Sequence, residues 1–174
     1  MTTWPGPWSH RIGEIDFAFC SGVQVDREGN VNCTCIGDHE KPKVALVGPI
    51  FLPEHLALFG REYIMMPHHE KRCFVPHIDH ISGVGFPGGR AGRRQLGLTG
   101  GPSHIFTPKC IFAFDENGEL YVESIHPGVT AEDVIESTGF DLGDLSCVPV
   151  TPEPSAEELS ILRNEVDPHH ILLD

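Results

Sequence analysis

Apolar positions along the chain fall in short blocks broken by Gly, Pro and acidic turns, and no block is long. Ile15 to Asp26 is rich in β-favouring residues and leads into Asp26-Arg27-Glu28-Gly29-Asn30, which predicts a strand ending in a turn. Val31 to Ile36 predicts a second extended piece. Val44 to Val47 predicts a short apolar strand, stopped by Gly48-Pro49. Glu54 to Phe59 follows Pro53 and runs into Gly60, the start and stop of one or two helical turns. Tyr63 to Met66 and Ile78 to Val84 read as further buried strands.

Pro87 to Pro102 breaks this rhythm. It carries Gly88, Gly89, Gly92, Gly97, Gly100 and Gly101 together with Arg90, Arg93 and Arg94, and reads as a long exposed loop. Beyond it, Ile111 to Phe114 and Leu120 to Ser124 flank Asp115-Glu116-Asn117-Gly118-Glu119, a strong hairpin signal. Thr130 with Asp133 marks a helix start, and Gly139 its end. Ser155 with Glu158 marks another helix, with Leu159 and Leu162 on one face and Asp167-Pro168 as its stop. Strands alternating with short helices and one hairpin predict an α/β or α+β domain with a mixed sheet. Residues 15–174 make this domain, and residues 1–14, rich in Trp, Pro and Gly at their start, are expected to form an N-terminal arm.

Composition narrows the class. Hydrophobic residues are 40% and charged residues 21% of the 174 positions, ordinary for a globular domain. No apolar run approaches the ~18 residues of a membrane span, and the N-terminus lacks a basic stretch followed by an apolar one. A cytoplasmic protein is expected. The net charge of −13 argues against nucleic acid or an anionic membrane as partner. It also means that an anionic ligand needs local positive charge or backbone N–H groups. The cysteines at 20, 33, 35, 73, 110 and 147 are expected to be reduced thiols.

Several residues carry candidate chemistry, each beside a plainer role. Gln24, Asp26, Asn30 and Asn32 offer polar contacts to a substrate, or turn and backbone hydrogen bonds. Glu54 beside His55 offers a carboxylate and an imidazole for acid–base work, or the ordinary first turn of a helix. Arg90, Arg93 and Arg94 suit phosphate or carboxylate binding, or a solvated loop docked on a partner. His68, His69, Glu70, Cys73, His77 and His80 are potential ligands, but their spacing matches no tetrahedral zinc pattern and no metal is expected.

The order of motifs resembles the β subunit of class I CoA-transferases, most nearly the glutaconate branch. Phe19-Cys20-Ser21-Gly22-Val23-Gln24-Val25-Asp26 with Gly29-Asn30-Val31-Asn32 is similar to the family's Gly-Ala-Gln-hydrophobic-Asp stretch and its sequel. His69-Glu70-Lys71-Arg72, the run Pro87-Gly88-Gly89-Arg90, and Arg94-Gln95-Leu96-Gly97-Leu98 continue it. His126-Pro127-Gly128-Val129-Thr130 and Ser137-Thr138-Gly139-Phe140 match a typical C-terminal element, and Glu165-Val166-Asp167-Pro168 closes the match.

The resemblance implies an open mixed sheet with flanking helices and pairing with an α-like subunit as a heterodimer or heterotetramer. It implies CoA exchange between small, dicarboxylic acids through a covalent glutamyl intermediate, with coenzyme A entering as part of the substrate. Gly22, Gln24, Asp26, Asn30, Asn32, Gly48, Arg90 and Arg93 are the CoA- or substrate-binding candidates it suggests. In the family the nucleophilic glutamate lies ahead of the Gly-Ala-Gln stretch, where this sequence has only Met1 to Glu14 and no matching position. That segment is expected on a third chain or lost. A Gly-x-Gly-Gly-Ala loop is replaced by Gly48-Pro49-Ile50-Phe51-Leu52-Pro53, which keeps one Gly and gains proline positions without N–H donors. These departures point also to a diverged acyl-CoA decarboxylase or hydrolase subunit, or to a non-catalytic partner, with Glu54 and His55 as catalytic candidates.

Overall fold

The computed structural model describes residues 15–171; the expected N-terminal arm lies outside them. A five-stranded mixed sheet forms the frame. Its strands are β1 (Phe17–Cys20), β6 (Arg61–Met65), β7 (Pro102–Phe106), β8 (Cys110–Phe114) and β9 (Leu120–Ile125), in that spatial order. β1, β6 and β7 run parallel, while β7, β8 and β9 pair antiparallel. Between β1 and β6 the chain makes two small ladders, β2 (Gln24–Val25) with β3 (Val31–Asn32), and β4 (Cys35–Ile36) with β5 (Val44–Ala45). Then comes helix α1 (Leu52–Leu58).

Alternation along each strand sorts the two faces of the sheet. Ile64, Ile105, Phe112 and Val122 align across four strands and are buried. Leu52 and Leu56 of α1, Phe74, Phe86, Val25 and Val31 join them in one core. On the other face Phe17 and Phe19 are 50% and 58% exposed and pack against Tyr63, which continues to His104 and Phe106.

Local signals hold where the chemistry is local. The hairpin turn between β8 and β9 is built by the Asp115 carboxylate, which accepts from the N–H groups of Asn117 and Glu119, and Gly118 supplies φ +84°. Helix α3 (Ala131–Ser137) starts on a reciprocal cap between Thr130 and Asp133, and α4 (Ala156–Ile161) on one between Ser155 and Glu158. α4 runs on as a π-helical turn, Leu162–Val166.

Four expectations are corrected. Ile15 to Asp26 is not one strand: β1 joins the main sheet and β2 the small ladder. The chain breaks at Gly22, where an added Cβ would lie 2.4 Å from Val31. Val31 to Ile36 also divides, because the Asn32 side-chain oxygen accepts from the Thr34 N–H and bends the backbone. Ile78 to Val84 forms no strand; it is tied to the ladder by the isolated bridge of Val31 with Gly83 and by hydrogen bonds between Asp79 and Gln24. Pro87 to Pro102 is not a loop throughout, since it holds helix α2 (Gly89–Gln95) and leads into β7, a central strand.

Candidate active site

The turn after β1 borders several clefts, two of which hold candidate residues. One, of about 230 Å³, is lined by Cys20, Ser21, Cys33, Gly48, Phe51 and His55, among others. Behind it lies Glu62 of β6, whose phase with Ile64 turns it to the inner face. Glu62 is 1% exposed, and its Oε1 lies 3.5 Å from His55 Nδ1. That distance and geometry leave both carboxyl oxygens and His55 Nδ1 without a normal hydrogen bond. Burial holds the Glu62 carboxyl above its usual pKa, with Cys20 and His55 pulling only partly against it. Burial, with Glu62 beside it, also pushes the Cys20 thiol well above its ordinary range, so Cys20 is no thiolate nucleophile.

The second cleft, of about 550 Å³, is mainly apolar and includes Gly22, Gln24, Val44, Met66, His68 and Arg72 in its walls. Gln24 is committed at both ends: its oxygen accepts from Asn32 at 2.7 Å and from the Asp79 N–H at 3.0 Å, and its nitrogen donates to Asp79 at 3.1 Å. Asn32 also donates to the Cys35 carbonyl. Asn30 donates to the Asp26 carboxylate at 2.9 Å and accepts from the Gly85 N–H at 2.9 Å. Burial raises the Asp26 pKa, and the bonds from Asn30 oppose this. The four residues therefore form a buried polar seam holding the β2–β3 ladder against the stretch that contains Asp79 and Gly85.

The arginines divide. Arg93 is buried and donates through Nη1 to the carbonyls of Val84 and Gly85 at 2.7 and 2.8 Å, and through Nη2 to Thr99 at 2.9 Å and to Leu56. Burial, with Arg90 nearby, lowers its pKa to about 10. Arg90 lies over the Phe86 ring at 4.7 Å and donates to the Asp115 carbonyl. With Arg94 they line a separate cleft of about 210 Å³.

The sequence candidates thus reach three places. Gly48 and His55 meet in the small cleft, Gly22 and Gln24 in the large one, and Arg90 and Arg93 in the third. Glu54 is half-buried in the first turn of α1. Glu62 is not among the sequence candidates, although the alternation of Arg61-Glu62-Tyr63-Ile64-Met65 puts it in phase with buried Ile64. The histidine-rich stretch does not converge: His69 is buried between Thr107 and Thr138, and His80 stacks on His39. Among the described residues no three His, Cys, Asp or Glu side chains form a metal-ligand group.

No protein-family model matches the chain. Individual relatives do. It is 42% identical over 153 residues to the B subunit of 3-oxoadipate CoA-transferase from Pseudomonas knackmussii, spanning 87% of this chain and 58% of that one. It is 40% identical over 162 residues to the B subunit of glutaconate CoA-transferase from Acidaminococcus fermentans, spanning 91% of this chain and 59% of that one. The chain belongs to the CoA-transferase family, on the B-subunit side. The crystal structure of the Acidaminococcus fermentans glutaconate CoA-transferase superposes on this CoA-transferase-like fold with a TM-score of 0.81 at 37% identity, covering 91% of this chain and 61% of that chain. Rhodococcus jostii IpdAB gives a TM-score of 0.76 at 26% identity, over 89% and 62% of the two chains. The chain therefore spans a little under two thirds of the length of the family members it matches.

Proposed function

We propose that the chain is the B-type part of a hetero-oligomeric enzyme that transfers CoA between small dicarboxylic acids, assembled with an A-type partner in the cytoplasm. The observation that supports it is the 40% identity to the glutaconate CoA-transferase B subunit, together with the 0.81 TM-score to the solved enzyme. Glutaconate and 3-oxoadipate, the acids in the two relatives' names, are both dicarboxylates, which favours that acyl class. Coenzyme A enters as the thioester carrier. Gly22, Gly48, Arg90 and the seam around Gln24 are proposed to shape the substrate side, with Asp26, Asn30, Asn32 and Arg93 holding it in place.

A second reading is a diverged acyl-CoA hydrolase or decarboxylase subunit. It is supported by the 31% identity to the cholesterol ring-cleaving hydrolase IpdB of Rhodococcus jostii and by the Gly48-Pro49-Ile50-Phe51-Leu52-Pro53 run. Those prolines remove backbone donors from a loop that would otherwise stabilise an oxyanion.

The test is co-purification with an A-type chain, a native mass, and an assay with a dicarboxyl-CoA thioester. CoA exchange that requires a free carboxylic acid supports transfer. Addition of water to the acyl group, by ring opening or by CoA release with no carboxylic acid present, supports hydrolysis, and loss of carbon dioxide supports decarboxylation. Turnover by the partner alone at the same rate assigns this chain a structural role. A third chain in the native mass supports a separately supplied segment completing the length seen in the relatives.

A further inference from the structure

Glu62 is a buried acid whose charge only Cys20 and His55 ease, and only in part. It is buried on β6, and neither of its oxygens accepts a hydrogen bond of normal geometry. Burial disfavours the charged carboxylate and favours the neutral acid, so Glu62 holds a proton that a near neighbour can take only while another site gives one back. The groups acting on it are Cys20 from β1 and His55 from α1. Arg93, which reaches α1 through the Leu56 carbonyl, spends its terminal nitrogens on backbone oxygens. Cys20 is held protonated and offers no outlet. His55 does: its Nδ1 is turned inward at 3.5 Å from Glu62, while the side chain keeps 27% exposure and lines the cleft with Cys20, Ser21, Cys33 and Gly48. Val47, Ile50, Phe51 and Leu52 add to that wall, which is apolar and open to solvent.

We infer that Glu62 and His55 form a proton relay that protonates the CoA thiolate as it leaves an acyl thioester in this cleft; this rests on the acyl-CoA reading above. The acyl carbon bonds to an incoming oxygen nucleophile, a carboxylate or water, and the carbon–sulfur bond breaks with its electron pair on sulfur. His55 Nε2 gives its proton to that sulfur while Nδ1 takes the proton of Glu62. The carboxylate left behind is neutralised when the relay runs back or when solvent returns a proton through His55. His55 is then a catalytic residue, and Glu62 acts through it as a positioning and proton-storing one.

The test uses the complete chain assembled with its A-type partner, as wild type, His55→Gln and Glu62→Gln. Expected is a loss of about 10²-fold in kcat for His55→Gln, within the range of general acid catalysis, and a smaller loss for Glu62→Gln, with KM unchanged. The wild-type rate falls as pH rises and the relay loses its proton, and both variants lose that dependence. Wild-type rates with an unchanged pH profile in both variants overturn the relay and leave the acyl-CoA reading standing. Absence of thioester turnover by the wild-type complex overturns that reading and, with it, the thiolate as the proton's destination. Infrared difference spectra of wild type against Glu62→Gln judge the pair without any activity: a protonated carboxyl at neutral pH is expected, and a carboxylate there overturns it.

Discussion

His69 Nε2 lies 3.0 Å from the Thr138 hydroxyl, and this contact ties the loop after β6 to the end of α3. On the other side Nδ1 lies 2.9 Å from Thr107 Oγ1, so the ring is gripped between two hydroxyls. Burial, with Lys109 adding to it, lowers the His69 pKa from 6.5 to about 4. The folded chain therefore prefers neutral His69. Its contribution is fully present above pH 6.5, is lost as pH falls because the unfolded chain takes up a proton first, and levels off below about 4. The loss totals on the order of 3 kcal/mol. Denaturant midpoints from about pH 7.5 to about 4 should fall for wild type and fall less for His69→Gln. The raised pKa values of Asp26 and Glu62 carry the opposite sign, so the difference between the two proteins is the informative quantity.

Arg93→Ala should destabilise the fold by more than about 3 kcal/mol, because the carbonyls of Val84, Gly85, Leu56 and Thr99 lose their donors inside the protein. Arg93→Lys should recover only part of this, since an ammonium cannot reproduce the planar fork. Urea unfolding of the three proteins measures it. Equal midpoints would assign Arg93 to ligand binding in place of structure.

Asn32→Ala should cost about 2–3 kcal/mol, because it removes one of the two donors to the Gln24 oxygen together with partners of the Cys35 carbonyl and the Thr34 N–H. Thermal unfolding gives the loss. A stable variant with a raised KM for the thioester would place Asn32 in substrate binding.

The aromatic face of the sheet should make the chain associate when it is alone. Phe17, Phe19, Met65 and Tyr121 are exposed large hydrophobics on it, and Tyr63 joins the two phenylalanines. Sedimentation should show oligomers for wild type. Replacing both Phe17 and Phe19 with Lys should shift the distribution towards monomer, at little cost in stability because both rings are about half exposed or more. A wild-type monomer at all concentrations rejects this.

The sequence by itself settled features whose causes lie within a few residues. The capping pairs Thr130–Asp133 and Ser155–Glu158, the Asp115 to Glu119 turn and the existence of α1 all arise from side chains bonding nearby backbone or from local chain stiffness. The ordered motifs also determined the family. What it misread was set by contacts between distant residues. Arg93 reads as a loop cation because its four carbonyl partners are scattered over Leu56, Val84, Gly85 and Thr99. Pro102 to Phe106 does not look like a central strand, yet β6 and β8 on either side supply its hydrogen bonds. The proposed relay shows the same limit. Glu54 adjoins His55 in sequence, but successive helix positions point about 100° apart, so adjacency gives no pairing. Only the packing of α1 on β6 could select Glu62, because a buried acid is defined by what closes over it.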